Sequence, residues 1–77
     1  MKDILEKIKE IVSERTGVER TDIKPDSFFN DDLNVNELEL SEIVSELEEV
    51  FNIELDIDLI DIKSIADLIH AIHDKIE

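Results

Sequence analysis

The sequence predicts an all-α fold: three principal helices, a long loop between the first and second, and one short helix before the last, a four-helix bundle if the short element is counted. Three observations lead there. Apolar residues recur at helical spacing in three separate segments. The apolar fraction of 42% is dominated by Ile, Leu and Val, with aromatics reduced to Phe28, Phe29 and Phe51. The one stretch that alternates like a strand, within residues 54–62, has no second strand to pair with, and a lone hairpin would be marginal in any case. A chain of 77 residues is expected to form one domain, 1–77. It has no cysteine, so packed aliphatic side chains must supply what disulfides or thiolate metal sites supply elsewhere.

The first helix is predicted from Asp3 to Thr16, with Ile4, Leu5, Ile8, Ile11 and Val12 on one face. Gly17, the sole glycine, ends it as a left-handed C-cap. Residues 18–36 lack a sustained period, and Lys24-Pro25 opposes a continuous helix. Val18, Ile23, Phe28, Phe29, Leu33 and Val35 are spaced as anchors for an ordered loop, with a short helical turn near Thr21. The second helix is predicted over Glu37 to Phe51, burying Leu40, Ile43, Val44, Leu47 and Phe51, with Leu38 and Val50 at its margins. Its polar face is a ladder of Glu39, Glu42, Glu46 and Glu49, whose mutual repulsion weakens the helix. Residues 54–62 give a short helix or turn. The last helix runs from Ser64 to Ile76, burying Ile65, Leu68, Ile69, Ile72 and Ile76, with Ser64 and Asp67 as a capping pair.

Charge is distributed unevenly. The net charge is −14, and residues 25–62 hold thirteen acids with no Lys or Arg, while residues 1–24 balance to zero. Such a field repels nucleic acid and anionic membranes and attracts basic protein surfaces. An acidic face can also serve solubility alone, although mixed charges would do so with less self-repulsion. The N-terminal MKDILEKIKEIV alternates charge too finely for a signal peptide, and no apolar run reaches membrane-spanning length, so a soluble, cytoplasmic protein without membrane insertion is expected.

The order of elements, together with IKEIVSERTGV, SFFNDDL, ELEEVFNIEL and SIADLIHAI at near-constant spacing, resembles the acyl carrier proteins over essentially the whole chain. The resemblance implies an acyl-carrier-like helical bundle. In that family an Asp-Ser-Leu tripeptide heads the second helix, and its serine is joined by a phosphodiester to 4′-phosphopantetheine. Asp32-Leu33 matches the family's upstream pair, and Asn36-Glu37-Leu38 falls on the tripeptide, so Glu37 stands at the serine position. A carboxylate lacks the hydroxyl that attacks coenzyme A. No cofactor is therefore expected. Ser41 is the nearest alternative hydroxyl, but using it would misplace Leu38, Ile43, Val44, Leu47 and Phe51 together; Ser27 lies too far back in the loop.

The junction also reads as a helix cap with no further role. Asn36 is among the best N-cap residues, Glu39 follows three positions later as in a capping box, and Glu37 gains about 0.3–1 kcal/mol from the helix dipole. A functional reading adds that Glu37 imitates the charge of a phosphodiester. By position, the resemblance implies partner docking through Glu39, Glu42, Glu48 and Glu49, with Asp58 near the third element, and the charge-imitation reading adds Glu37 to the partner-binding set. Ser41 and Ser45 stand where the family often has Val and Met, so docking would lean on charge and weaken with salt. The function expected is an acidic docking or regulatory module, a monomer, beside fatty-acid or polyketide-type biosynthesis, meeting basic surfaces of carrier-pathway enzymes. The alternatives are a genuine acyl carrier with an atypical or altered attachment site and a stand-alone acidic helical bundle.

No other constellation outweighs this. His70 and His73 read as solvent-facing, because zinc would need further ligands and only Asp67 and Asp74 are near. Asp56, Asp58 and Asp61 lack the glycine and distal glutamate of a calcium loop, so no metal is expected. No glycine-rich loop or activated nucleophile marks an enzyme.

Overall fold

Helical periodicity becomes three helices in the computed structural model, which describes residues 2–76 and the side chains of residues 4–76. They are α1 (Lys2–Thr16), α2 (Glu37–Phe51) and α3 (Ile65–Ile76), with 3-10 turns at Arg20–Asp22 and Leu59–Asp61. The short element expected before the last helix is therefore a three-residue 3-10 turn, and the arrangement is three α-helices with two such turns, not a four-helix bundle. α1 packs against both α2 and α3. One apolar cluster lies between them, built from Ile4, Ile8, Ile11 and Val12 of α1, Leu40, Ile43, Val44 and Leu47 of α2, and Ile65, Leu68 and Ile72 of α3.

Local chemistry sets the helix ends. Gly17 has φ +81° and donates to Ser13 O at 2.9 Å, so it takes the left-handed cap that costs a Cβ-bearing residue more. The C-cap of α2 is Asn52, also left-handed at φ 57°, its N–H shared between the carbonyls of Glu48 and Glu49. Asparagine is the commonest substitute for glycine there. At α3 the Ser64–Asp67 exchange forms in both directions: Ser64 Oγ accepts from Asp67 N at 3.3 Å, and Asp67 Oδ2 accepts from Ser64 N at 3.2 Å.

The long loop is ordered by α3. Ile65 N donates to Ser27 O at 3.0 Å, Ala66 N to Pro25 O at 2.8 Å, and Phe29 N to Lys63 O at 3.0 Å. The first free N–H groups of α3 thus find carbonyls in the loop, which pins residues 25–29 across the helix entrance. This contact includes a single antiparallel bridge, Phe28 with Ser64, the one β-pairing among the described residues.

Several expected burials differ. Phe29 is 2% exposed, in the core cluster, but Phe28 is 47% exposed. Phe51 and Ile69 are half-buried against the edge of the core. Ile76 is 38% exposed in the last turn of α3, where the core has ended. Residues 54–58 form no strand.

Candidate functional site

The head of α2 is assembled from its cap outward. Asn36 is extended at φ −85°, ψ 179°, and its Oδ1 accepts from Glu39 N at 2.8 Å. Only this half of the capping box forms among the described residues. Glu37 follows as the first helical residue, exposed. Leu38 is 71% exposed, further out than the margin expected of it.

Beside Glu37 opens a groove of about 540 Å³. Phe29 and Val35 from the loop, Leu40 from α2, and Leu59, Ile60 and Ile62 from the second 3-10 turn and its exit give it apolar walls; Asp31, Asn36, Glu37 and Lys63 are among its polar lining. The loop before α2 keeps its shape through Phe28 N, which donates to Asp32 Oδ2 at 2.8 Å, and Val35 N, which donates to Phe29 O at 2.7 Å. Asn34 turns the chain at φ 57°.

The acids of α2 divide by what they touch. Arg15, from the last turn of α1, donates through Nη1 to Glu42 Oε1 at 2.8 Å, and its Nη2 lies 3.1 Å from Glu46 Oε1. Glu48 Oε2 accepts from Leu55 N at 2.7 Å, holding the chain after α2. Glu37 and Glu49 are exposed, Glu39 is half-buried, and none of the three is in an ion pair among the described residues. Asp58 is exposed and precedes the second 3-10 turn without a side-chain cap. The residues singled out as docking acids thus lie along one helix and the loop beyond it, but two of them, Glu42 and Glu48, already have intramolecular partners. Sequence reasoning missed Arg15, which lies 27 residues from Glu42.

Hydroxyls near the junction are few. Residues 28–40 contain no Ser or Thr. Ser41 is half-buried and lines a separate hollow with Arg15, Glu42, Ser45, Glu46 and Glu49, away from the groove at Glu37. Ser27 is buried and its Oγ accepts from Lys24 N. Among the described residues no group of three or more His, Asp or Glu is placed to hold a metal. Among the described residues no helix is long and apolar enough to cross a membrane.

Known proteins match this architecture. A family model described as "Phosphopantetheine attachment site" matches residues 6–72. Over 73 residues the chain is 37% identical to an acyl carrier protein of Solidesulfovibrio magneticus, covering 94% of each chain. The chain belongs to the acyl carrier protein family. It is also 42% identical over 53 residues to an acyl carrier protein of Rubrobacter xylanophilus, covering 69% of this chain and 65%, under two thirds, of that protein. Members of the acyl carrier protein family are carriers, not enzymes, and work with biosynthetic enzymes. The family carries 4′-phosphopantetheine; the first residue of α2 in this chain is Glu37.

Proposed function

We propose that this acyl-carrier-family chain is an acidic docking or regulatory module that binds basic surfaces of carrier-pathway enzymes and carries no phosphopantetheine at residue 37. The observation that carries the reading is Glu37 as first residue of α2, at the mouth of the groove, with no hydroxyl from residue 28 to 40. In this reading Glu37 holds the position of the family's attachment serine. Its fixed charge stands near where a phosphodiester would be. Glu37, Glu39 and Glu49 meet the partner's cations, with Asp58 beyond the helix; Glu48 contributes from its contact with Leu55, and Glu42 only in competition with Arg15. A monomer in the cytoplasm suits a chain with a net charge of −14, since copies of it repel one another.

A second reading, a working acyl carrier with another attachment residue, is favoured by the 37% identity that runs through 94% of an acyl carrier protein. Ser41 would be its attachment residue. An arm there would start in the acidic hollow beside Arg15, not at the apolar groove.

Intact mass after incubation with coenzyme A and a broad-specificity phosphopantetheinyl transferase decides between them. The parent chain is expected to keep its mass, while Asn36→Asp combined with Glu37→Ser gains one phosphopantetheine. An adduct on the parent chain would overturn the proposal.

A further inference from the structure

The two walls of the groove beside Glu37 are held unequally. On the loop side the backbone is tied at close intervals: Phe29 N donates to Lys63 O, Val35 N to Phe29 O and Leu33 N to Phe28 O, and Asp32 Oδ2 accepts from Phe28 N. The opposite wall, Leu59, Ile60 and Ile62, belongs to the segment that follows α2. Within that segment the 3-10 turn closes only on itself, with Asp61 N donating to Asp58 O at 2.9 Å and Ile62 N to Leu59 O at 3.0 Å. Among the described residues a single hydrogen bond ties residues 54–62 to another element, from Leu55 N to Glu48 Oε2 at 2.7 Å.

Glu48 therefore stands at the root of a strap. Its main-chain carbonyl accepts from Ile53 N at 3.0 Å and its carboxylate from Leu55 N, so one residue fixes both the exit from α2 and the start of the strap. At the far end Lys63 is held twice, its carbonyl by Phe29 N and its N–H by Asp67 Oδ2. Between these ends Leu55 and Ile62 are buried, whereas Ile57 and Ile60 are exposed. The strap carries Glu54, Asp56, Asp58 and Asp61 without a base, and its turn packs against the acidic α2. Like charges gain by separating, so the long-range electrostatics favour lifting the strap and the Glu48 bond opposes it. An ionised acceptor makes that bond stronger than a neutral one would be.

We propose that residues 54–62 gate the groove and that the Glu48 carboxylate is the latch of the gate. When Leu55 N leaves Glu48, the strap swings between its ends at Asn52 and Lys63 and carries Leu59 and Ile60 away from Val35 and Leu40. The loop wall stays in place. Glu48 is thus a positioning residue: it lines no part of the groove, yet it sets how wide the groove stands, and the cleft of about 540 Å³ is the latched state.

Amide hydrogen exchange of the ¹⁵N-labelled full chain tests this in three variants: Glu48→Ala, Glu48→Gln, which keeps an oxygen acceptor, and Glu49→Ala, which removes the same charge from the exposed position next to it. Glu48→Ala should speed exchange at Leu55, Asp61 and Ile62 about tenfold or more, the factor that one hydrogen bond to a charged group represents. Phe29 and Val35 should keep the rates of the parent. Binding of the uncharged dye Nile red should rise several-fold in the same variant. Glu48→Gln should restore most of the protection, and Glu49→Ala should match the parent throughout. Faster exchange at Leu55 alone, with Asp61, Ile62 and dye binding unmoved, would overturn the gate. A uniform rise that includes Phe29 and Val35 would make Glu48 a general stabiliser and overturn it equally.

Discussion

Replacing Arg15 by Gln should expose what the acidic ladder costs. The guanidinium bridges two carboxylates of α2, at 2.8 Å to Glu42 and 3.1 Å to Glu46, with its side chain 32% exposed. Pairs this exposed contribute about 0.2–1 kcal/mol each. Their removal also leaves Glu39, Glu42, Glu46 and Glu49 to repel one another at i+3 and i+4 spacing, at roughly 0.2–0.5 kcal/mol per pair. The expected loss is therefore about 1 kcal/mol, up to about 2 kcal/mol, and in a domain of this size 1 kcal/mol lowers Tm by about 4–8 °C. Thermal unfolding followed by circular dichroism at low salt should show the deficit. Near 1 M salt, where the screening length is about 3 Å, most of it should disappear. A double-mutant cycle of Arg15→Gln with Glu42→Gln should give a coupling of about 0.5 kcal/mol. A deficit that salt does not change would refute the electrostatic account and assign the effect to packing of the arginine stem. No deficit at all would mean that Arg15 does not bridge the helices.

Two further outcomes follow from the helix ends. Gly17→Ala should destabilise by about 1–2 kcal/mol in urea unfolding, purely from the left-handed backbone, since a Cβ at φ +81° would meet nothing within 4 Å. Asn36→Ala should lower stability by about 1 kcal/mol through loss of the bond to Glu39 N, and Asn36→Asp should retain most of it.

Helix identity was legible in the sequence because it rests on neighbours three and four residues apart. Ile8, Ile11 and Val12, or Ile43, Val44 and Leu47, declare their shared face without knowledge of the fold. The caps at Gly17, Asn36 and Ser64 were equally legible, since each bonds within four residues. So was the acidic character of residues 25–62. Phe28 and Phe29 could not be told apart, because their difference depends on which side of the loop faces α3. Nor could the strand-like pattern after Glu54 be resolved into irregular chain and a 3-10 turn, since pairing depends on what lies alongside.

The sequence by itself determined three amphipathic helices, their ends, a strongly negative middle and an acid at the head of α2, all properties of short chain segments. Only the tertiary structure decided that Arg15 would occupy Glu42 and Glu46, that Glu48 would hold Leu55, and that loop, α2 and the 59–62 segment would leave an apolar groove beside Glu37. The physical reason is range: these contacts join side chains and backbone that the chain's local periodicity does not relate, and they exist only after the helices have packed.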